Sequence, residues 1–310
     1  MTGEPNFKRL AIIGAGLIGS SIARAARKAS AAQHVTLCDH DQVTADQAAA
    51  LDIAEHVTTE LKEAVTEADA VILCVPVGAI AALSGTLAAH VKPGAIVSDV
   101  GSVKASVAAA FKALPASVHA IPAHPVAGTE KSGPEAGFDS LFQQRWCIIT
   151  PPEDADATAV AQLTQFWRAL GSTVEIMTPD HHDRVLAITS HVPHLIAYNI
   201  VGTASDLEEV TRSEVIKFSA GGFRDFTRIA ASDPVMWRDV FLNNKDAVLE
   251  MLGRFSEDLT ALQRAIRWGD GDALYSLFER TRNVRRNIID AGQETAAPDF
   301  GRGDHDSAGD

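Results

Sequence analysis

The sequence predicts two folded parts: an α/β amino-terminal domain on a doubly wound, Rossmann-type parallel sheet, and an all-α carboxy-terminal dimerisation domain. Up to Met177, short β-branched segments alternate with alanine-rich helical segments. A Gly-x-Gly-x-x-Gly motif joins the first strand to the first helix, and no convincing strand pattern follows Met177. We therefore expect a dinucleotide-binding domain over residues 6–178, a helical substrate and dimerisation domain over 179–292, and a disordered acidic tail over 293–310.

The predicted strands of the first part are apolar along their whole length, as expected when helices cover both faces of a sheet. They lie at residues 10–14, 35–39, 70–75, 96–100, 120–124, 147–150 and 174–177. The helical segments between them include residues 17–29, 77–90 and 103–114. This alternation predicts that the strands form a parallel, doubly wound sheet.

Two helix starts in the second part carry a capping side chain followed by proline, at Thr178-Pro179-Asp180 and Ser232-Asp233-Pro234. The second opens a stripe that predicts one helix of roughly 30 residues. The stripe consists of Trp237, Phe241, Asn244, Val248, Leu252, Phe255, Leu259, Leu262 and Ile266. We expect a second subunit to bury part of it, with Asn244 as a polar register residue at that interface. The alternative is a helix that lies across the first domain of its own chain.

Composition and charge exclude several classes of protein. Apolar residues make up 46% and charged residues 22% of the 310, which is ordinary for a globular protein. The formal net charge of −13 argues against a general nucleic-acid binder. No apolar run approaches the ~20 residues that span a bilayer, and the amino terminus lacks a signal-peptide pattern. The isolated cysteines Cys38, Cys74 and Cys147 favour reduced thiols, so we expect a cytoplasmic protein without a membrane partner.

The glycine motif predicts a site for a dinucleotide. Gly14 permits the tight turn, Gly16 lets the backbone approach a pyrophosphate, and Gly19 allows close packing of helix on strand. Leu17 and Ile18 complete the start of the helix. Asp39 ends the next strand, 20 residues after Gly19, where a carboxylate binds ribose hydroxyls and repels a 2′-phosphate. The cofactor is therefore expected to be NAD rather than NADP, although a protonated His40 could help tolerate a phosphate.

The nicotinamide end of that site is expected where later strands end, because ligands of open α/β sheets lie beyond the carboxyl ends of the strands. Val75 and Pro76 follow one such strand, and Ser102 follows the next. Three unusual strings come later: HPVAGTEKSG from His124, SHVPH from Ser190, and GGFRDFTR from Gly221. They place histidines and an arginine behind a nicotinamide site, which suits oxidation of an anionic alcohol.

With these strings the chain resembles the prephenate and arogenate dehydrogenases of tyrosine biosynthesis. The matching stretches are GAGLIGSS, CVPV, SDVGSVK, HPVAGTEKSG, SHVPH, GGFRDFTR and SDPVMW, in the family's order. The resemblance implies a cyclohexadienyl substrate with a 4-hydroxyl and a ring carboxylate. Hydride would pass from C4 to NAD, and the ring carboxylate would leave as carbon dioxide.

The resemblance also implies roles for particular residues. His124 would take the proton of the 4-hydroxyl, and Ser102 would hydrogen-bond both that hydroxyl and the histidine. The residues implied around the substrate are His194 in its pocket, Arg228 on a carboxylate, Glu130, Asp183 and Asp225 in an ionic network with that arginine, Trp237 as an aromatic wall, and Gly221. Ordinary chemistry agrees, because hydride leaves an alcohol carbon more easily as a neutral histidine removes the hydroxyl proton.

Several of the polar and aromatic residues also have a simpler, non-catalytic interpretation. His181, His182, His191 and His194 are close in sequence, but no carboxylate set or cysteine completes a metal site, and none is expected. Pro193 suggests a helix kink that turns the histidines inward. The ordinary expectation is an exposed charge for Lys104, Lys131 and Arg224, and a core position for Trp146 and Trp167.

Two other functions remain open from the sequence alone. One is a different NAD(P)-dependent reductase with a helical dimer domain, acting on β-hydroxy acids or cyclic imines. The other is a protein that senses NAD without catalysis. Loss of turnover with retained NAD binding on replacing His124 would separate both from the dehydrogenase.

Overall fold

The computed structural model describes residues 5–211, 217 and 220–290. These residues fall into two compact units, one up to Met251 and one from Leu252 onward, and each unit is described by itself. The predicted acidic tail lies outside the described residues, as does the end of the predicted helical domain.

The first unit contains the expected parallel sheet. Its strands are β1 (Phe7–Ile13), β2 (Ala32–Cys38), β3 (His56–Thr58), β4 (Ala70–Leu73), β5 (Ile96–Asp99) and β6 (His119–Ala120). They pair in the order β3-β2-β1-β4-β5-β6, all in parallel, so the chain reverses its direction of winding beside β1. Leu10 and Ile12 pack in one apolar cluster while Ala11 and Ile13 pack in another, which confirms that both faces are covered.

A second, three-stranded sheet corrects the expectation that the later strands extend the first one. Its strands are β7 (Ala123–Pro125), β8 (Trp146–Ile149) and β9 (Thr173–Ile176). β7 is antiparallel to β8, and β8 is parallel to β9. The predicted strand 120–124 is therefore wrong as one element: the chain leaves the first sheet after Ala120, passes Pro122, and enters the second sheet at Ala123.

Helices of the first unit lie between and after these strands. They are α1 (Leu17–Lys28), α2 (Gln42–Ala50), α3 (Leu61–Val65), α4 (Val77–Leu87), α5 (Ala105–Phe111), α6 (Ala157–Ala169), α7 (Pro179–Leu186), α8 (Val192–Thr211), α9 (Gly221–Thr227) and α10 (Pro234–Asn243). α7 begins as predicted, because the Thr178 side chain accepts a hydrogen bond from the His181 amide at 3.3 Å. A π-helical turn, Ala187–His191, joins α7 to α8 just before Pro193.

The stretch Pro179–Asp206 is long and apolar enough, by composition alone, to cross a membrane. However, this stretch carries three polar side chains that are buried and hydrogen-bonded to other residues of the first unit: His182, Asp183 and His191. Polar side chains that are buried and paired inside a protein are typical of an interior helix. The part of this stretch around His182 and His191 therefore packs inside the first unit, whereas Ile188, Ile200 and Val201 are exposed.

The predicted single helix of roughly 30 residues is two helices in the structure. α10 ends at Asn243, Asn244 leaves the helical conformation with φ −112° and ψ 33°, and α11 (Lys245–Trp268) follows. α11 begins in the first unit, and most of it lies in the second unit together with α12 (Gly271–Asp290). Several large apolar side chains of the second unit are exposed: Leu259, Ile266, Trp268, Tyr275, Phe278 and Val284.

Candidate active site

The glycine turn after β1 has the shape that a dinucleotide requires. Gly14 has a φ of +105°, and a Cβ on it would lie 2.3 Å from the carbonyl oxygen of Cys74. A Cβ on Gly19 would lie 1.9 Å from the carbonyl oxygen of Gly14, so α1 packs closely against the turn. A Cβ on Gly16 would meet no atom within 4 Å, so the turn is open on that side. The open backbone at the start of α1 fits a pyrophosphate.

Asp39 follows β2 and is hydrogen-bonded to the same turn. Its Oδ2 accepts from the Ala15 amide at 2.8 Å, and its Oδ1 accepts from the Asp41 amide at 3.0 Å. Its side chain is 12% exposed, and the ring of His40 beside it is fully exposed. The carboxylate is thus fixed at the end of β2, next to the glycine turn, where the sequence places a ribose-binding group.

The other predicted cofactor residues surround this turn. Leu17 and Ile18 form the first turn of α1, and Leu17 is buried. Val75 follows β4, and its Cγ1 would lie 3.3 Å from a Cβ on Gly14. Pro76 precedes α4 as its N-cap residue. The residues present therefore fit NAD, with Gly16 and the start of α1 toward the phosphates and Asp39 toward the ribose.

A buried ion pair that was not predicted from the sequence lies between the ends of β5 and β7. Lys104, expected to be exposed, is completely buried, and its Nζ contacts Oδ2 of the equally buried Asp99. The same Nζ donates to the carbonyl of Ala123 at 2.7 Å, and Asp99 Oδ1 accepts from the Ala123 amide at 3.2 Å. Burial raises the pKa of Asp99 and lowers that of Lys104. The pair holds Ala123 in place, one residue before His124.

His124 lies on β7, is 7% exposed, and contacts His182 of α7, which in turn contacts Asp183. Its Nδ1 lies 2.8 Å from Nε2 of His182, and Nδ1 of His182 lies 2.8 Å from Oδ1 of Asp183. The opposite nitrogen of His124, Nε2, has no hydrogen-bond partner among the described residues. Burial lowers the pKa of His124 well below 6.5, and nearby His182 and Lys104 add to this effect. His124 is therefore a neutral imidazole near pH 7.

Asp183 belongs to a different network from the one that the resemblance implies. Its Oδ1 accepts from the Lys104 amide at 2.7 Å and its Oδ2 from the Ala105 amide at 2.9 Å, at the start of α5. Its side chain is 6% exposed. The expected placement beside Arg228 is therefore wrong in this structure, because both oxygens are already used in holding α7 against α5 and orienting His182.

Asn244 is also placed differently from the expectation of a subunit interface. Its side chain is buried in the first unit, where Nδ2 donates to the carbonyl of Asp183 at 2.9 Å and lies 3.1 Å from Nδ1 of His191. These contacts explain why the helix breaks at Asn244. Burial lowers the pKa of His191 to about 4, so this ring is neutral as well.

The predicted pocket residues His194 and Trp237 are in direct contact. Their rings stack with centroids 3.7 Å apart and an interplanar angle of 24°. Nδ1 of His194 lies 2.8 Å from the carbonyl oxygen of Ser190, one helical turn earlier. Burial lowers the pKa of His194, and the charge of Arg228 lowers it further. A neutral imidazole against an indole gives a flat wall that suits a six-membered ring.

Arg228, which is expected to bind a substrate carboxylate, lies beside one of the three expected acids. Arg228 Nη1 lies 3.4 Å from Glu130 Oε2, and the arginine side chain is 40% exposed. Asp225 instead lies 3.9 Å from Arg224, on α9, which Gly221 opens.

Ser102, half-buried in the loop between Asp99 and Lys104, forms no side-chain hydrogen bond with His124 or any other described residue. Its hydroxyl is available to a ligand.

The first unit thus holds a neutral imidazole, a serine hydroxyl without a hydrogen-bond partner among the residues described, a stacked pair of aromatic rings and an arginine. Proton removal from an alcohol needs a base such as this imidazole, and binding of a carboxylate needs a cation such as this arginine.

Trp146, expected in the core, is 37% exposed on β8, whereas Trp167 is fully buried as expected. The roles of His182, Lys104 and Asn244 were not predicted, because only their polar character within apolar surroundings is visible in the sequence.

Comparison with known proteins identifies the family of the chain. The family model described as prephenate dehydrogenase, nucleotide-binding domain, matches residues 22–176, and the one described as prephenate dehydrogenase, dimerization domain, matches residues 178–280. The chain is 43% identical to a cyclohexadienyl dehydrogenase of Zymomonas mobilis over 90% of this chain and 95% of that protein. It is 32% identical to a prephenate dehydrogenase of Bacillus subtilis over 93% of this chain and 78% of the other.

A solved structure is also similar. It is the prephenate dehydrogenase from Aquifex aeolicus in complex with hydroxyphenyl propionate and NAD+. The TM-score is 0.85 at 31% identity, and the match covers 91% of this chain and 98% of that one. The matches extend over both the sheet and the helices that carry the site. The chain belongs to the prephenate dehydrogenase family.

Proposed function

We propose that the protein is an NAD-dependent dehydrogenase that oxidises and decarboxylates prephenate, arogenate or both, in tyrosine biosynthesis. The products would be 4-hydroxyphenylpyruvate from prephenate and tyrosine from arogenate. The observation that carries this proposal is His124, a buried and neutral imidazole on β7, with one ring nitrogen that has no hydrogen-bond partner in the described part of the chain. A base of this kind is what removal of a hydroxyl proton requires.

The residues divide the work in the following way. His124 accepts the proton of the 4-hydroxyl, and Ser102 hydrogen-bonds that hydroxyl. Arg228 binds a substrate carboxylate, because its planar fork matches two carboxylate oxygens. His194 and Trp237 bound the ring, with Gly221, Asp225 and Glu130 beside the arginine. NAD, when bound, accepts the hydride from C4. Departure of carbon dioxide is favoured because it leaves an aromatic ring, so positioning is the main task of the protein.

The three acids that the resemblance groups with Arg228 have different roles. Glu130 contacts the arginine directly and can orient it before substrate arrives. Asp225 lies on the same short helix as Arg224 and borders Gly221. Asp183 acts only from a distance, through His182. We therefore assign Glu130 and Asp225 to the substrate end and Asp183 to the base.

We also propose a homodimer formed through the carboxy-terminal helices, in the cytoplasm. The second unit exposes large side chains that water disfavours, such as Ile266 (67%), Trp268 (64%) and Phe278 (58%). A second copy of the chain would cover them. The three cysteines are unbridged, which suits a reducing compartment. Light scattering at a mass of two chains supports the dimer, and a mass of one chain refutes it.

The experiment that tests the function is NADH formation by the purified protein, with prephenate and arogenate supplied separately and with NAD exchanged for NADP. Turnover of either acid supports the proposal. The ratio of the two kcat/KM values then defines the substrate. NAD binding without turnover of either acid would favour another reductase or a non-catalytic sensor.

A further inference from the structure

The hydrogen bonds around His182 determine which nitrogen of His124 carries a proton. They begin at Asp183, whose two oxygens accept the amides of Lys104 and Ala105 at 2.7 and 2.9 Å. A carboxylate oxygen can only accept hydrogen bonds. Nδ1 of His182, 2.8 Å from Asp183 Oδ1, must therefore be the donor of that bond.

The second step follows from the neutrality of His182. Its side chain is fully buried, and burial lowers its pKa below the ordinary value. A neutral imidazole has one N–H, and here Asp183 takes it, so Nε2 of His182 can only accept. The atom 2.8 Å away is Nδ1 of His124, which must therefore donate. The proton of the neutral His124 ring is thus on Nδ1, and the lone pair is on Nε2.

We infer that His182, oriented by Asp183, is a positioning residue that keeps His124 in the tautomer with a basic Nε2 directed away from His182. The alternative tautomer would present an N–H to the substrate hydroxyl and could not accept its proton. Nε2 is also the nitrogen without a partner among the described residues. That the proton comes from a substrate hydroxyl rests on the proposed function. The tautomer of His124 does not rest on it.

The arrangement also supports the charged form that the reaction creates. Once His124 has accepted a proton, its Nδ1–H still donates to His182, and this bond becomes charge-assisted and stronger. The charge of Asp183 lies one imidazole further along the same chain of hydrogen bonds. The other charged groups near this chain, Lys104 and Asp99, are paired with each other and contribute opposite effects. His191 on the neighbouring π turn is neutral at pH 7.

The sharpest test reads the tautomer directly. Histidine labelled with nitrogen-15 gives distinct chemical shifts for a protonated and an unprotonated ring nitrogen, in the full-length protein without substrate. His124→Ala and His182→Gln spectra assign the two rings among the 11 histidines. We expect Nδ1 of His124 to be protonated and Nε2 unprotonated near pH 7. Protonation of Nε2 alone would overturn the inference, whether or not the protein turns over a cyclohexadienyl acid.

Turnover by matched variants gives the second test. Gln at position 182 can place an oxygen where Nε2 of the ring accepts, whereas Leu offers no acceptor. We expect His182→Leu to lower kcat by at least about tenfold, with the dissociation constant of NAD unchanged, and His182→Gln to recover most of the loss. His181→Gln, at the adjacent exposed position of the same helix, is the control and should match the unmodified protein.

The outcomes separate an acceptor from a packing role. If His182→Leu keeps kcat within a factor of about two, or if Gln is as damaging as Leu while both fold, His182 does not act through a hydrogen bond and the inference fails. If His182→Leu does not fold, the nitrogen-15 spectrum of the unmodified protein decides. An unmodified protein without turnover would contradict the proposed function alone, because the spectrum still tests the tautomer.

Discussion

Lys104 and Asp99 form an ion pair in which both side chains are completely buried, and both are hydrogen-bonded to the backbone of Ala123. Ala123 precedes His124, so the pair fixes the strand that carries the proposed base. Buried charges persist only when they are paired and their remaining hydrogen bonds are satisfied. The pair therefore links the stability of the first unit to the position of its reactive group.

Replacement of Lys104 by Met is expected to destabilise the protein strongly, because it leaves the Asp99 charge buried without a partner. The expected loss in the free energy of unfolding is about 3–5 kcal/mol. The double variant Asp99→Asn with Lys104→Met should recover part of this loss, since neither side chain is then charged. Chemical denaturation measures both. A Lys104→Met variant as stable as the unmodified protein would show that Asp99 is not charged in the folded state.

Replacement of Arg228 by Gln is expected to raise KM for the substrate and to change kcat much less. Removal of a charge-assisted pair with a carboxylate costs about 2–4 kcal/mol, which is at least about 30-fold in KM. Arg224→Gln is the matched control, because that side chain is 79% exposed and four residues away on α9. Equal KM values for Arg228→Gln and the unmodified protein would assign the carboxylate to another residue.

Asp39 is expected to set the preference for NAD. Asp39→Asn keeps an oxygen for the Ala15 amide but removes the charge that repels a 2′-phosphate. The expected effect is about 1 kcal/mol, or roughly fivefold, in the ratio of kcat/KM for NAD over NADP. His40→Gln, which changes the fully exposed neighbour, tests whether a protonated histidine offsets that repulsion. An unchanged ratio in Asp39→Asn would place the selectivity elsewhere.

Acid is expected to destabilise the first unit from about pH 6.5 downward. The pKa of His191 is lowered from 6.5 to about 4, so between these values the unfolded chain binds a proton that the folded protein does not. The resulting loss grows as the pH falls and reaches about 3 kcal/mol near pH 4. Denaturation at a series of pH values measures it. His191→Asn keeps an acceptor for Asn244 and should give a shallower decline, whereas an identical decline would assign the effect to other groups.

Local sequence signals predicted the parts of the fold that depend on near neighbours in the chain. The glycine motif lies at the turn after β1, and the caps at Thr178 and Asp233 begin α7 and α10 as expected. These signals act within a few residues, because a turn or a helix end is determined by backbone geometry and adjacent side chains. The grouping of His194, Trp237 and Arg228 came instead from the family resemblance; in the structure His194 stacks on Trp237, and burial together with the charge of Arg228 lowers the pKa of His194.

Features that depend on distant partners could not be predicted in this way. Lys104 looks like an ordinary surface lysine until Asp99 and Ala123 surround it. Asn244 fits a helical stripe, and only its bonds to Asp183 and His191 show that the helix ends there. Pro122 interrupts the run at residues 120–124, but only the strand pairing shows that its two ends belong to different sheets. Each of these depends on tertiary packing that overrides a local pattern.

The central claim is that His124 is the base. Its most direct test measures both kcat and the dissociation constant of NAD for the His124→Ala variant. Loss of a general base is expected to lower kcat with prephenate or arogenate by about 10²–10⁴-fold. The dissociation constant of NAD, measured by calorimetry, should stay unchanged, because the glycine turn and Asp39 lie on other elements. That combination is the result we predict. Full activity in a folded His124→Ala variant would show that His124 is not the base.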